Sequence, residues 1–208
     1  MSNLNKIIDI EFLKDRAACI EGIAYFEEEI KEPIAARELI NRLLATKKRE
    51  KMEWVNWLLC KLFSRPQYIQ YAVFAAEQVL PIFEAKYPSD KRPRKAIEAA
   101  KQVVLNDTEE NRKIAAYVAY AAANAAYSAA DATYAAAYAA YAAADAANAA
   151  AYAANAANAA AYAANAANAA AYVAYAAEAA ANAVAYTAGG KETLLKIISF
   201  GIELLENK

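Results

Sequence analysis

At 208 residues and 22.5 kDa the chain can bury a substantial core, as one large domain or two small ones. Its 23 basic and 24 acidic residues leave a net charge of −1, which makes no electrostatic case for binding nucleic acid or an anionic membrane. Histidine is absent, which removes the commonest general base, the commonest transition-metal ligand and every Ser/His or Cys/His nucleophile pair.

The N-terminus, Met1-Ser-Asn-Leu-Asn-Lys, lacks the apolar run of an export signal, so a cytoplasmic location is expected. Cys19 and Cys60 are isolated thiols in apolar sequence and are expected to be reduced core residues. A first helix is predicted from about Asp9 to Lys31, capped by Asp9. Phe12, Leu13, Ala17, Ile20, Ala24 and Ile30 face inward in it, and Gly22 is its weak point. Pro33 is expected to open a second helix through about Thr46. The charged run Lys47-Lys48-Arg49-Glu50-Lys51 then reads as a solvated connection.

The third predicted helix, about Met52 to Ser64, carries the densest apolar cluster in the chain, and the main core is expected there with Trp54, Trp57 and Phe74 largely buried. Pro66 suits the first turn of a fourth helix, which Pro81 should kink. Tyr87 to Arg94 reads as a turn, and Pro93 starts a helix with Ala96, Ile97, Ala100, Val103 and Val104 facing inward. Residues 106–111 carry cap residues followed by acids, a helix start that suits the dipole. After Gly189-Gly190 a last amphipathic helix is predicted from about Lys191 to Glu206. No strand is expected.

Between these elements, residues 114–188 hold 47 alanines in 75 positions. Alanine loses no side-chain entropy on ordering, so the segment is predicted to be helical. Its polar and aromatic positions recur at three- and four-residue steps, and the ten-residue unit Tyr-Ala-Ala-Asn-Ala-Ala-Asn-Ala-Ala-Ala begins at Tyr152 and again at Tyr162. On a straight helix that unit slips by roughly 80° per repeat, so no single face stays apolar. One unbroken helix would span roughly 110 Å, against about 40 to 45 Å for a compact domain of this length. Two or three shorter helices folded on each other are therefore expected, with breaks near Asn124, Ser128 and Asp131 or near Asp145 and Asn148. Frequent Asn and Tyr hold the segment below the hydropathy of a membrane span.

These elements predict an all-α fold: a multi-helix bundle with a long Ala/Tyr/Asn-rich helical segment. A mixed-charge helical domain covers residues 1–113, the alanine-rich segment 114–188 packs on it or self-associates, and an amphipathic helix covers 189–208. The four glycines cannot form a phosphate loop, and the carboxylate helices lack the Glu-x-x-His pattern of a di-metal bundle. No enzyme activity, metal or cofactor is expected.

Two surfaces remain as partner contacts. One is the basic turn, with Lys91, Arg92 and Arg94 flanked by Lys86 and Lys95. The other is the stripe of Tyr152, Tyr162 and Tyr172 with Asn155, Asn158, Asn165 and Asn168; tyrosine suits a recognition face because it costs little rotamer entropy when immobilised.

The stretch Ala75-Ala-Glu-Gln-Val-Leu-Pro-Ile-Phe-Glu84, followed by Tyr87-Pro-Ser-Asp-Lys-Arg-Pro-Arg-Lys-Ala-Ile-Glu-Ala-Ala100 and an alanine-rich helix, resembles the Imm-five-like putative immunity proteins over about residues 70–135. Downstream the chain departs from that pattern, with tyrosine and asparagine in place of mixed alanine, arginine and histidine. The resemblance implies an all-helical protein that acts by binding a toxin or defence effector and has no catalytic residues to transfer. A self-assembling homo-oligomer driven by the decapeptide repeat is the alternative. Ice binding is the weaker one, because only Thr133 and Thr187 fall in the alanine-rich segment.

Overall fold

A computed structural model describes residues 3–117 and 190–207 of the chain. The fold is all-α apart from one two-residue strand pair. The alanine-rich segment beyond residue 117, including the decapeptide repeat and its expected breaks, lies outside the described residues.

The first predicted helix is three elements. Helix α1 spans Ile10–Asp15, and Asp9 caps it as expected, its carboxylate accepting from the Phe12 N–H at 2.7 Å. It stops early because Ala17 adopts φ 55°, and the amides of Ala18 and Ala17 donate back to the carbonyls of Leu13 and Lys14 at 2.9 and 3.1 Å. This is a Schellman ending with alanine at the position glycine usually fills. Helix α2 (Ile20–Tyr25) then starts at Cys19 and widens into a π-helical turn, Phe26–Ile30, closed by the Lys31 amide on the Phe26 carbonyl at 2.8 Å. The break rotates the expected inward stripe. Phe12, Leu13 and Ile30 are buried, whereas Ala17 and Ile20 face solvent.

Pro33 does not open a helix. Ile7–Ile8 (β1) pairs antiparallel with Ile34–Ala35 (β2), and the Ala36 amide extends the ladder to the Lys6 carbonyl at 2.8 Å. Two strands this short gain most of their stability by burying Ile8 and Ile34. Helix α3 starts only afterwards, at Ala36–Ala45.

Helix α4 runs Arg49–Leu62, so the charged run at residues 47–51 is partly helical, and Lys51 is only 8% exposed. Helix α5 (Arg65–Lys86) opens with Pro66 in its first turn and with the Ser64 amide donating to the Gln67 carboxamide at 2.8 Å. It continues through Pro81, whose ring faces solvent, to Lys86. Helix α6 is Arg92–Leu105, residues 109–117 are helical, and α7 is Gly190–Glu206.

The core lies where α4, α5 and α7 meet, around Leu58, Leu59, Tyr71, Phe83, Ile197 and Ile198. The inward residues predicted for α6, Ala96, Ile97, Ala100 and Val103, are buried against α5, and α7 buries Leu194, Ile197, Ile198 and Leu205 against α4 and α5. Trp54, Trp57 and Phe74 sit at its margin instead, half-buried; Phe74 stacks on Phe200 with ring centroids 4.1 Å apart. Among the described residues no helix is long and apolar enough to cross a membrane.

Candidate functional site

The basic turn joins α5 to α6. Glu84, in the last turns of α5, receives the guanidinium of Arg94 as a fork, Nε donating to Oε1 at 2.6 Å and Nη2 to Oε2. Lys91 Nζ stands 3.8 Å from the same carboxylate. Arg92 folds back on Asp90, its backbone amide and Nε each donating to Oδ1 at 3.0 Å and its Nη2 to Oδ2 at 2.6 Å.

The hydrogen bond from Arg94 holds the Glu84 carboxyl below its ordinary range, and the one from Arg92 does the same to Asp90. The three predicted contact cations are thus brought together, with both arginines engaged within the chain. Lys91 keeps its ammonium most available, its side chain 53% exposed. The tyrosine and asparagine candidates, Tyr152, Tyr162, Tyr172, Asn155, Asn158, Asn165 and Asn168, lie outside the described residues.

A second site was not anticipated. A pocket of about 280 Å³ opens between the α1–α2 arm and helices α3 and α4. Its floor is aliphatic, from Leu13, Leu39, Leu43 and Leu58, and Trp54 and Trp57 form one wall. Lysines back both indoles: Lys51 Nζ lies 3.3 Å from the Trp54 ring centroid and 4.1 Å from that of Tyr25, and Lys61 Nζ lies 5.5 Å from Trp57. Those ring contacts explain the burial of Lys51, whose ammonium also pairs with Glu50 at 3.2 Å.

The opposite wall is Ala17, Ala18, Cys19 and Gly22. Cys19 is not a core thiol: it is exposed, and its sulfur accepts from the Gly22 amide at 3.3 Å. Gly22 keeps this wall thin, since a Cβ there would stand 3.3 Å from Cys19 Sγ and 4.0 Å from Trp54 Cε2. Glu53 is the one carboxylate on the lining, and Arg49 Nε neutralises it at 3.0 Å.

The site therefore suits an apolar group that brings no buried charge of its own. The other thiol, Cys60, is fully buried as expected, and desolvation pushes its pKa up to about 12. Among the described residues no group of three or more His, Cys, Asp or Glu side chains is placed to hold a metal ion.

No curated protein and no solved structure matches the chain. Residues 58–189 do match a family described as Imm-5 like putative immunity protein, a wider span than the resembling motifs at residues 70–135 and more than half of the chain. That span takes in the end of α4, all of α5 and α6 and the basic turn between them. On that match, the chain belongs to the Imm-5 like putative immunity protein family.

Proposed function

We propose that the chain is a non-catalytic binding protein that neutralises a protein toxin or defence effector by occupying it. The observation that carries this reading is the family match over residues 58–189. The sequence supports it, since a chain without histidine or a phosphate loop is poorly equipped for acid–base or phosphoryl chemistry.

Of the polar contacts proposed for the partner, Lys91 is the best placed to exchange water for a partner carboxylate. Arg92 and Arg94 would first have to leave Asp90 and Glu84. The tyrosine and asparagine positions from Tyr152 to Tyr172 are proposed as a second contact surface. Titrating the isolated chain against a candidate toxic partner domain tests the reading. Activity should fall linearly and reach zero at equimolar chain, while undiminished activity at a tenfold excess would contradict it.

A further inference from the structure

We propose that α2 is a hinged flap over the pocket, swinging away from α4 while the rest of the protein stays folded. Its flanks are anchored. The β1–β2 pair fixes the base of the arm, Phe12 and Leu13 are buried from α1, and Phe26 and Ile30 are buried from the π-helical turn. Between those anchors α2 buries no residue of its own. Ile23 and Tyr25 reach the core only half-buried, and Ile20 is 82% exposed. A segment with so little buried apolar surface opens locally at lower cost than the core it rests on.

The backbone supplies the joints. Ala17, three residues before α2, has φ 55°, and Lys31, closing the π-helical turn, has φ 69°. Both are left-handed conformations that cost an L-residue energy, so neither resists a change of backbone angle as a regular helical residue would. Gly22 weakens the helix between them, and the next turn is widened, the Lys31 amide reaching back to the Phe26 carbonyl at 2.8 Å. The cap of α2 is weak too: it is the Cys19 sulfur that accepts from the Gly22 amide, at 3.3 Å, where an oxygen is the usual acceptor.

One contact latches the flap. Lys51 Nζ lies 4.1 Å from the ring centroid of Tyr25, the last residue of α2, and 3.3 Å from that of Trp54 on α4. The two rings also meet edge-on, with centroids 5.5 Å apart. Lys51 is almost out of solvent, which makes this cation–π bridge stronger than an exposed one. Away from Tyr25 the flap faces open volume: Ala17, Ala18, Cys19 and Gly22 line the pocket instead of packing on α3 or α4. Swinging α2 outward therefore breaks the latch and the partial cover of Ile23, and it widens the pocket towards Trp54 and Leu58.

Amide exchange of the native chain, resolved by residue, tests the flap. The amides of Ile23, Ala24 and Tyr25 should exchange at least about a hundredfold faster than those of Leu58 and Leu59 in α4. Low denaturant should leave their rates unchanged while it speeds the α4 amides, because a local opening exposes little new surface. Equal protection of the two sets, or an equal response to denaturant, would overturn the proposal.

Variants of the latch separate a flap from the fraying of any short helix. Lys51→Gln keeps most of the stem and removes the cation, and should speed the α2 amides by about fivefold while changing Leu58 and Leu59 less. Tyr25→Leu removes the ring from the other side of the latch and should act in the same way. Rates in α2 that are indifferent to both substitutions would overturn the proposal, as would a change shared equally with α4. The measurement needs no partner protein, so its outcome is separate from that of the neutralisation test.

Discussion

The hydroxyl of Tyr71 donates to Asn56 Oδ1 at 2.7 Å in the interior between α4 and α5, and both residues are buried. Gly201 of α7 lies against the same ring. A Cβ at Gly201 would stand 2.6 Å from Tyr71 Cε2 and 3.0 Å from Leu59 Cδ1. Gly201 therefore lets α7 approach α4 and α5 closely enough to seal the core over that hydrogen bond.

Gly201→Ala should accordingly destabilise the fold, although alanine is the better helix former by about 1 kcal/mol. Overpacking costs about 1 to 3 kcal/mol, and displacing Tyr71 from Asn56 leaves a buried amide unsatisfied at a similar cost. Tyr71→Phe keeps the shape and loses only the hydrogen bond, so it should cost about 1 to 3 kcal/mol. Denaturant titration of both variants checks the order; a Gly201→Ala protein as stable as the parent would show that α7 does not sit this close.

The two thiols should react very differently. Cys19 is exposed and Cys60 is buried with its pKa pushed up to about 12. Ellman's reagent should modify one thiol per native chain promptly and the second only after denaturation. Cys19→Ser should abolish the prompt reaction, and its persistence in that variant would place Cys60 at the surface.

The α5–α6 turn should register in acid. Arg94 and Arg92 hold Glu84 and Asp90 below their ordinary pKa values, so their stabilisation is complete above the unfolded carboxylate range of about 3.9 to 4.3. It is lost as pH falls below that range toward the folded values. Glu84→Gln should lower stability at neutral pH and flatten the acid limb of the stability profile. A profile parallel to the parent's would mean that the Arg94 fork does not form in solution.

Two apolar faces of α4 should differ as well. Leu59 is fully buried, and Leu59→Ala should cost about 2 to 5 kcal/mol. Trp57 is half-buried on the pocket wall, and Trp57→Ala should cost less than Leu59→Ala despite removing more atoms. Chemical denaturation of the pair decides it, and the reverse order would move the core toward the pocket.

Local signals carried much of this structure. The Asp9 cap, the proline-opened starts of α5 and α6 and the inward faces of α6 and α7 all follow from residues within one or two turns of each other. What escaped local reading depends on distant partners or on an unusual residue in a familiar role. The β1–β2 pair joins Ile8 to Ile34 across the whole α1–α2 arm, and nothing in Pro33-Ile34 alone announces it. Alanine at the left-handed position of the α1 ending hides the break that glycine would have marked. The pocket follows from that break. Its sequence traces are the apolar run Ala17-Ala18-Cys19-Ile20 and the two tryptophans, and both fit a core helix equally well.

Growth of cells producing a candidate toxic partner domain, with and without the chain, tests the proposed neutralising role most directly. Co-production should restore growth, and the two proteins should co-purify as a stoichiometric complex whose measured mass is the sum of its parts. Failure of growth to recover while the chain accumulates in folded form, or recovery with no complex, would contradict neutralisation by binding.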